Sequence, residues 1–230
     1  SAGSLQSFSV GQDGLITGSD QWCSGTLTAP DRFLTAGHCV YFLPSNTQLY
    51  VSFSTDLLAP SFSSIPATGY VYNPQICFHC DDHHDLAVIF LPSGSTSGLT
   101  PLALPPAGLL DQLAARGGLR DQLFVNVGYG TSSTRTGQPG YPYDGKRNVS
   151  FSPFMGLKLF WLGLLMNNNA TDLGGDCYHD SGGPKFLDGN PGMIVATVST
   201  GDIPCRATSW DYRLDTQSAR SFLGQFVTLP

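Results

Sequence analysis

The apolar positions of this chain come in short runs, mostly of roughly four to seven residues, separated by Gly, Pro, Ser, Asn and Asp. Runs of that length bounded by turn residues read as β-strands. Five stand out: Phe33-Leu34-Thr35-Ala36, Tyr50-Val51-Ser52-Phe53, Leu86 to Leu91, Leu123 to Val127 and Met193 to Val198. Short strands with frequent turn signals predict a sandwich or a barrel. One helix is expected near the C-terminal end. Thr216 can cap it, and Ala219, Phe222, Leu223 and Phe226 then share one face. A weaker helical pattern runs from Leu109 to Ala115. The stretch Pro92 to Pro106 is rich in Ser, Gly, Thr and Pro and reads as the connection between two halves.

Composition narrows the class. With 230 residues the chain can form one large all-β domain or two smaller ones. Hydrophobic residues make up 41%, enough to exclude a disordered chain. Charged residues are only 12%, against roughly 25% in ordinary soluble proteins. The net charge of −6 and the scattered Lys and Arg argue against nucleic acid as a partner. No apolar run is long enough to cross a membrane; Phe154 to Met166 is too short, contains Lys158 and reads as a buried strand with its flank. Ser1 to Val10 lacks the basic start and apolar stretch of a secretory signal. Six cysteines suit three disulfides in an oxidising compartment, with their pairing left open by the spacing. Two sequons, at Asn148 and Asn169, would be acceptors only in an organism that glycosylates.

Chemistry concentrates in three segments: Leu34-Thr35-Ala36-Gly37-His38-Cys39, His84-Asp85-Leu86-Ala87-Val88, and Cys177-Tyr178-His179-Asp180-Ser181-Gly182-Gly183-Pro184. Each alone has an ordinary explanation as a core histidine, a capping Asp or a tight turn. Together they supply what serine acyl transfer requires. A weak hydroxyl nucleophile needs an imidazole to take its proton and a carboxylate to hold that imidazole in one tautomer. The order His, Asp, Ser along a chain is one of the recurring orders of that constellation.

These segments resemble the His, Asp and Ser motifs of the chymotrypsin and trypsin family of serine peptidases, closest in flavour to its microbial trypsin-like members. Cys23-Ser24-Gly25-Thr26-Leu27, Val127-Gly128-Tyr129-Gly130 and Ser199-Thr200-Gly201 followed by Cys205 extend the likeness from about Leu15 to the C-terminus. The resemblance implies an all-β fold of two packed antiparallel β-barrels with a C-terminal helix. Residues 1–105 would form the barrel carrying His38 and Asp85. Residues 106–230 would form the one carrying Ser181 and the specificity pocket. It implies bridges Cys23–Cys39 and Cys177–Cys205, and an oxyanion hole from the N–H groups of His179 and Ser181. The pocket would be lined by Gly175, Asp176, Ser199, Thr200 and Gly201. The expectation is a secreted, monomeric endopeptidase acting on polypeptides, with no cofactor and no metal.

Four departures from the family pattern qualify this. His179 stands where the family has Gly, so either the hole works under strain at positive φ or the peptide rotates and aims its carbonyl inward. Asp180, which in the family pairs with a new amino terminus, faces no Ile-Val-Gly-Gly-like start; Val10-Gly11 resembles one faintly but lies only 13 residues before Cys23. Gly175 occupies the place of the trypsin-like pocket carboxylate, leaving Asp176 beside it either to face the pocket or to be a solvated loop residue. Cys77-Phe78-His79-Cys80-Asp81-Asp82-His83-His84 could bind zinc, but a local Cys77–Cys80 disulfide suits an oxidised chain better. A second reading therefore stands beside the first: a fold-retaining homologue with an impaired oxyanion hole, serving as a binding or scaffold protein.

Overall fold

Alternation of buried and half-buried side chains builds two antiparallel sheets in a computed structural model that describes residues 1–10, 16–44, 47–131 and 142–230. The first comprises β1 (Ala2–Val10), β2 (Ile16–Ala29), β3 (Arg32–Thr35), β4 (Tyr50–Ser52), β5 (Ile65–Pro66), β6 (Gly69–Tyr72) and β7 (Ala87–Phe90), with the short helix α1 (His38–Tyr41) after β3. Its strand order is β5-β4-β1-β2-β3-β7-β6. After the helix α2 (Leu109–Ala115) come β8 (Leu123–Gly128), β9 (Asn148–Leu157), β10 (Trp161–Leu165), β11 (Pro184–Leu187), β12 (Ile194–Gly201) and β13 (Thr208–Arg213). These six close into a barrel in the order β10-β13-β12-β11-β8-β9. Helix α3 (Asn168–Thr171) follows β10, and α4 (Gln217–Leu223) ends the regular structure. Thr216 caps α4 by accepting the Ala219 N–H at 3.2 Å, and Ala219, Phe222 and Leu223 are its buried face.

Leu5, Leu27, Phe33, Val51 and Ile89 fill the first sheet. Phe124, Leu162, Leu164 and Val195 fill the barrel. A third cluster joins Leu34, Leu86 and Val88 from the first sheet to Ile194 and Tyr212 of the barrel and Phe222 of α4. That shared apolar layer holds the two sheets face to face, with the burial of each Leu or Ile side chain contributing about 1.5–3 kcal/mol.

Two regions differ from the pattern read along the sequence. Phe154 to Met166 is not one strand: β9 ends at Leu157 and β10 begins at Trp161, joined by a turn in which the Lys158 and Trp161 backbones bond each other. The Ser-rich start of the chain is a full strand, β1, paired with both β2 and β4. It packs closely because it is small. A Cβ on Gly3 would lie 2.7 Å from the Ser52 carbonyl and 2.9 Å from the Phe33 ring. Among the described residues no helix is long and apolar enough to cross a membrane.

Candidate active site

His38 opens α1, directly after β3, so its backbone is fixed by the strand on one side and by a bridge on the other. That bridge is Cys23–Cys39, between β2 and α1. The His38 N–H donates to Asp85 Oδ1 at 2.7 Å and its ring Nδ1 meets Asp85 Oδ2 at 2.8 Å. A carboxylate can only accept, so Nδ1 carries the proton and Nε2 is left as the basic nitrogen. Asp85 sits two residues before β7 with its side chain 1% exposed. Burial alone would push its carboxyl up. The hydrogen bonds and charge of His38, with the Ser199 hydroxyl at 2.6 Å, hold it below the usual carboxylate value instead. Burial likewise disfavours a charged His38, but the hydrogen bond and charge of Asp85 outweigh it and raise the imidazole above its ordinary 6.5. Ser199 thus serves the carboxylate, a role its place in the pocket-lining motif did not signal.

Ser181 lies on the turn between Cys177 and β11. Its carbonyl accepts the Ser24 N–H at 2.8 Å and lies 3.8 Å from Cys39 Sγ, which brings it against the segment carrying His38. The next residue must be glycine. Gly182 has φ 80°, and a Cβ there would stand 2.2 Å from Thr35 Oγ1 and 2.6 Å from the Ala36 nitrogen. Among the described residues the Ser181 hydroxyl makes no hydrogen bond to His38; such contacts commonly tighten only with substrate bound.

His179 does adopt positive φ, at 76°. An L-residue there costs about 1–2 kcal/mol, and three bonds offset it. Its ring Nδ1 donates to the Gln21 carbonyl at 2.6 Å, while its own carbonyl accepts Gln21 Nε2 and Ser24 Oγ, each at 3.1 Å. One residue earlier, the Tyr178 carbonyl accepts the Thr131 N–H at 2.9 Å. In a planar trans peptide the N–H of His179 must then point the opposite way. Among the described residues neither that N–H nor the N–H of Ser181 donates to a protein acceptor.

Asp180 is half-buried, with its carboxylate between two backbone amides, accepting Gly130 N–H at 2.8 Å and Cys177 N–H at 2.9 Å. Burial pushes its carboxyl up to about 6, against the pull of both donors. Only glycine fits above it, since a Cβ on Gly130 would lie 2.3 Å from its Oδ2. The amino group of Ser1 is elsewhere, donating to the Thr100 carbonyl at 2.8 Å. Gly11, half of the faint start-like pair with Val10, lies outside the described residues.

A cavity of about 410 Å³ opens beside Ser181 and His179. Ser199, Thr200 and Gly201 form part of its wall, together with Met166 and the Cys177–Cys205 bridge. Gly175 does not reach it: a Cβ there would meet Met166 Cγ at 2.2 Å, so the methionine stands between. Asp176 does line the cavity, but it is no solvated loop residue: it is only 6% exposed. It is buried on Lys185 Nζ and Ser209 Oγ. Lys185, Met166, Gln21 and Thr131 carry no motif, and nothing near them in sequence marks their part.

Cys77 and Cys80 are joined to each other, which removes their sulfurs as zinc thiolates. The one group of three potential ligands among the described residues is Cys23, His38 and Cys39, two of which are the bridge already described.

Comparison with known proteins agrees with the fold. HL collagenase matches with a TM-score of 0.68 at 18% identity, covering 97% of this chain and 91% of that one. Neuropsin, a serine protease expressed in the limbic system of mouse brain, matches with a TM-score of 0.68 at 17% identity, covering 97% and 92%. No curated relative matches at the sequence level. The family model for trypsin covers residues 6–148, a span that includes His38 and Asp85 and ends ahead of Ser181. With that match running over more than half of its length, the chain belongs to the trypsin family.

Proposed function

We propose that this protein is a secreted serine endopeptidase working through His38, Asp85 and Ser181. As Ser181 Oγ bonds to a peptide carbonyl carbon, its proton passes to His38 Nε2, and Asp85 steadies the imidazolium that forms. The carbonyl oxygen becomes an oxyanion held by the N–H groups of His179 and Ser181. Collapse breaks the C–N bond, and His38 returns the proton to the leaving amine. Water then repeats the sequence on the acyl-enzyme and frees the acid.

The observation that carries this reading is the direction of the Tyr178–His179 peptide. With the Tyr178 carbonyl held by Thr131, the His179 N–H points away from Thr131 and donates to no described protein group, which supports its use as an oxyanion donor. A rotated Tyr178–His179 peptide, the form a damaged hole would take, would break that bond. Three disulfides support an extracellular or otherwise oxidising location.

A fluorophosphonate probe tests it, because covalent capture needs an activated serine. The expected outcome is one label on Ser181 of the intact protein, no label on Ser181→Ala, and loss of peptide cleavage in that variant. An intact protein that takes no label would overturn the reading.

A further inference from the structure

The pocket beside Ser181 is walled largely by apolar groups, and the carboxylate of Asp176, one of its lining residues, is already paired. Met166 spans the base: its side chain abuts Gly175 at one end, and its Cε would lie 3.5 Å from a Cβ on Gly201 at the other. Its sulfur also accepts the Asp176 N–H at 3.3 Å. Asp176 Oδ1 binds Lys185 Nζ, and its Oδ2 lies against Ser209 Oγ, a hydroxyl shared with Asp211 Oδ1 at 2.9 Å. Lys185 is fully buried in β11 and reaches in from inside the barrel. It also donates to Asn126 Oδ1 at 2.8 Å and lies 3.6 Å from Asp211 Oδ1.

We propose that this pocket accepts an uncharged, apolar side chain of Leu, Met or Phe size on the acyl side of the cleaved bond, and that Lys185 sets this preference by neutralising Asp176. The inference rests on the peptidase reading above and names the substrate class for that same site. A cationic side chain entering the pocket meets a thioether, and the Asp176 charge that would answer it is already engaged by the buried Lys185 ammonium. Burial lowers the Lys185 amine to about 8, so it remains charged at neutral pH. Asp202, the other carboxylate on the cavity wall, has its oxygens turned to its own loop, accepting the N–H groups of Arg206, Ala207 and Thr208 at 3.0, 2.9 and 2.7 Å. What remains for a substrate is apolar contact with Met166, Val198, Trp22 and the Cys177–Cys205 bridge.

The test is a set of peptides differing only at the residue before the cut. The intact protein should favour Leu, Met or Phe over Arg or Lys by at least about 10-fold in kcat/KM, the scale that pocket contacts provide. Lys185→Met, which frees the Asp176 carboxylate, should move the ratio toward Arg and Lys by a comparable factor. If that variant does not fold, Lys185→Met combined with Asp176→Asn removes the whole pair and should retain the apolar preference. Intact protein that labels with the fluorophosphonate yet cleaves best after Arg or Lys would overturn this inference and leave the peptidase reading standing. The pocket can also be read without catalysis. Ser181→Ala should show no saturable binding of benzamidinium at millimolar concentration by calorimetry, and tight binding of that cation would overturn the inference on its own.

Discussion

At the scale of single residues, the site depends on how each polar group is answered by its neighbours. His38 is the clearest case. The base function proposed for it needs the neutral imidazole, and Asp85 raises its pKa above 6.5, so cleavage should fall as pH drops through a midpoint higher than that of a free histidine. The stability linkage runs the other way. A raised imidazole stabilises the fold fully below 6.5 and loses that contribution as pH rises through the folded-state value. Asp85, held low, contributes above the ordinary 3.8 and is lost as pH falls through its folded value. A pH–rate profile with a midpoint at or below 6.5 would contradict the coupling, and Asp85→Asn should move the midpoint down while lowering kcat. His179 illustrates what sequence can and cannot say of a residue. Its positive φ was legible, because it replaces a glycine in a turn. The bonds that tolerate it come from Gln21 and Ser24, roughly 155 positions away, and no local pattern carries them. The same holds for Asp176: its neighbourhood was readable, but its partner arrives from β11 through the barrel interior.

At the scale of elements, strands were legible where apolar residues alternate or run together, as in β3, β4, β7, β8 and β12. Where side chains are small the signal vanished. β1 buries Gly3, Ser4 and Leu5 in a tight sheet, and hydropathy does not register a glycine that is needed because nothing larger fits. Helix α1 is four residues long, too short for any periodicity, and it is held by covalent chemistry instead of by its pattern. The Cys23–Cys39 bridge closes a separation of 16 residues between β2 and α1. On the chain-entropy account such a loop is worth about 3 kcal/mol. Replacing both cysteines by alanine should lower unfolding stability in urea by about that amount. It should also reduce kcat, because α1 begins at His38 and would no longer be pinned to β2. A variant that loses stability while keeping full kcat would mean that β3 alone positions the histidine.

At the scale of the whole molecule, the proposed catalytic groups are divided between two sheets, and β2 is the strand that couples them. From the first sheet, Ser24 donates its N–H to the Ser181 carbonyl at 2.8 Å and its hydroxyl to the His179 carbonyl at 3.1 Å. The same oxygen accepts the Tyr129 N–H at 3.1 Å, just past the end of β8 in the barrel. Thr35 Oγ1 closes the set by donating to the Ser24 carbonyl at 2.8 Å, three residues before His38. One fully buried serine therefore touches the Ser181 turn, His179 and the strand leading to His38. Ser24→Ala keeps the backbone bond to Ser181 and removes only the hydroxyl. The Tyr129 N–H is then left without an acceptor, which costs about 1–3 kcal/mol. His179 keeps Gln21 Nε2 but loses one of the two donors that hold its carbonyl. Because the loosened peptide acts on the oxyanion and not on the bound side chain, kcat should fall while KM changes little. Measuring both constants together with the melting temperature separates this from general destabilisation. A lowered melting temperature with kcat intact would show that Ser24 joins the sheets without positioning the hole.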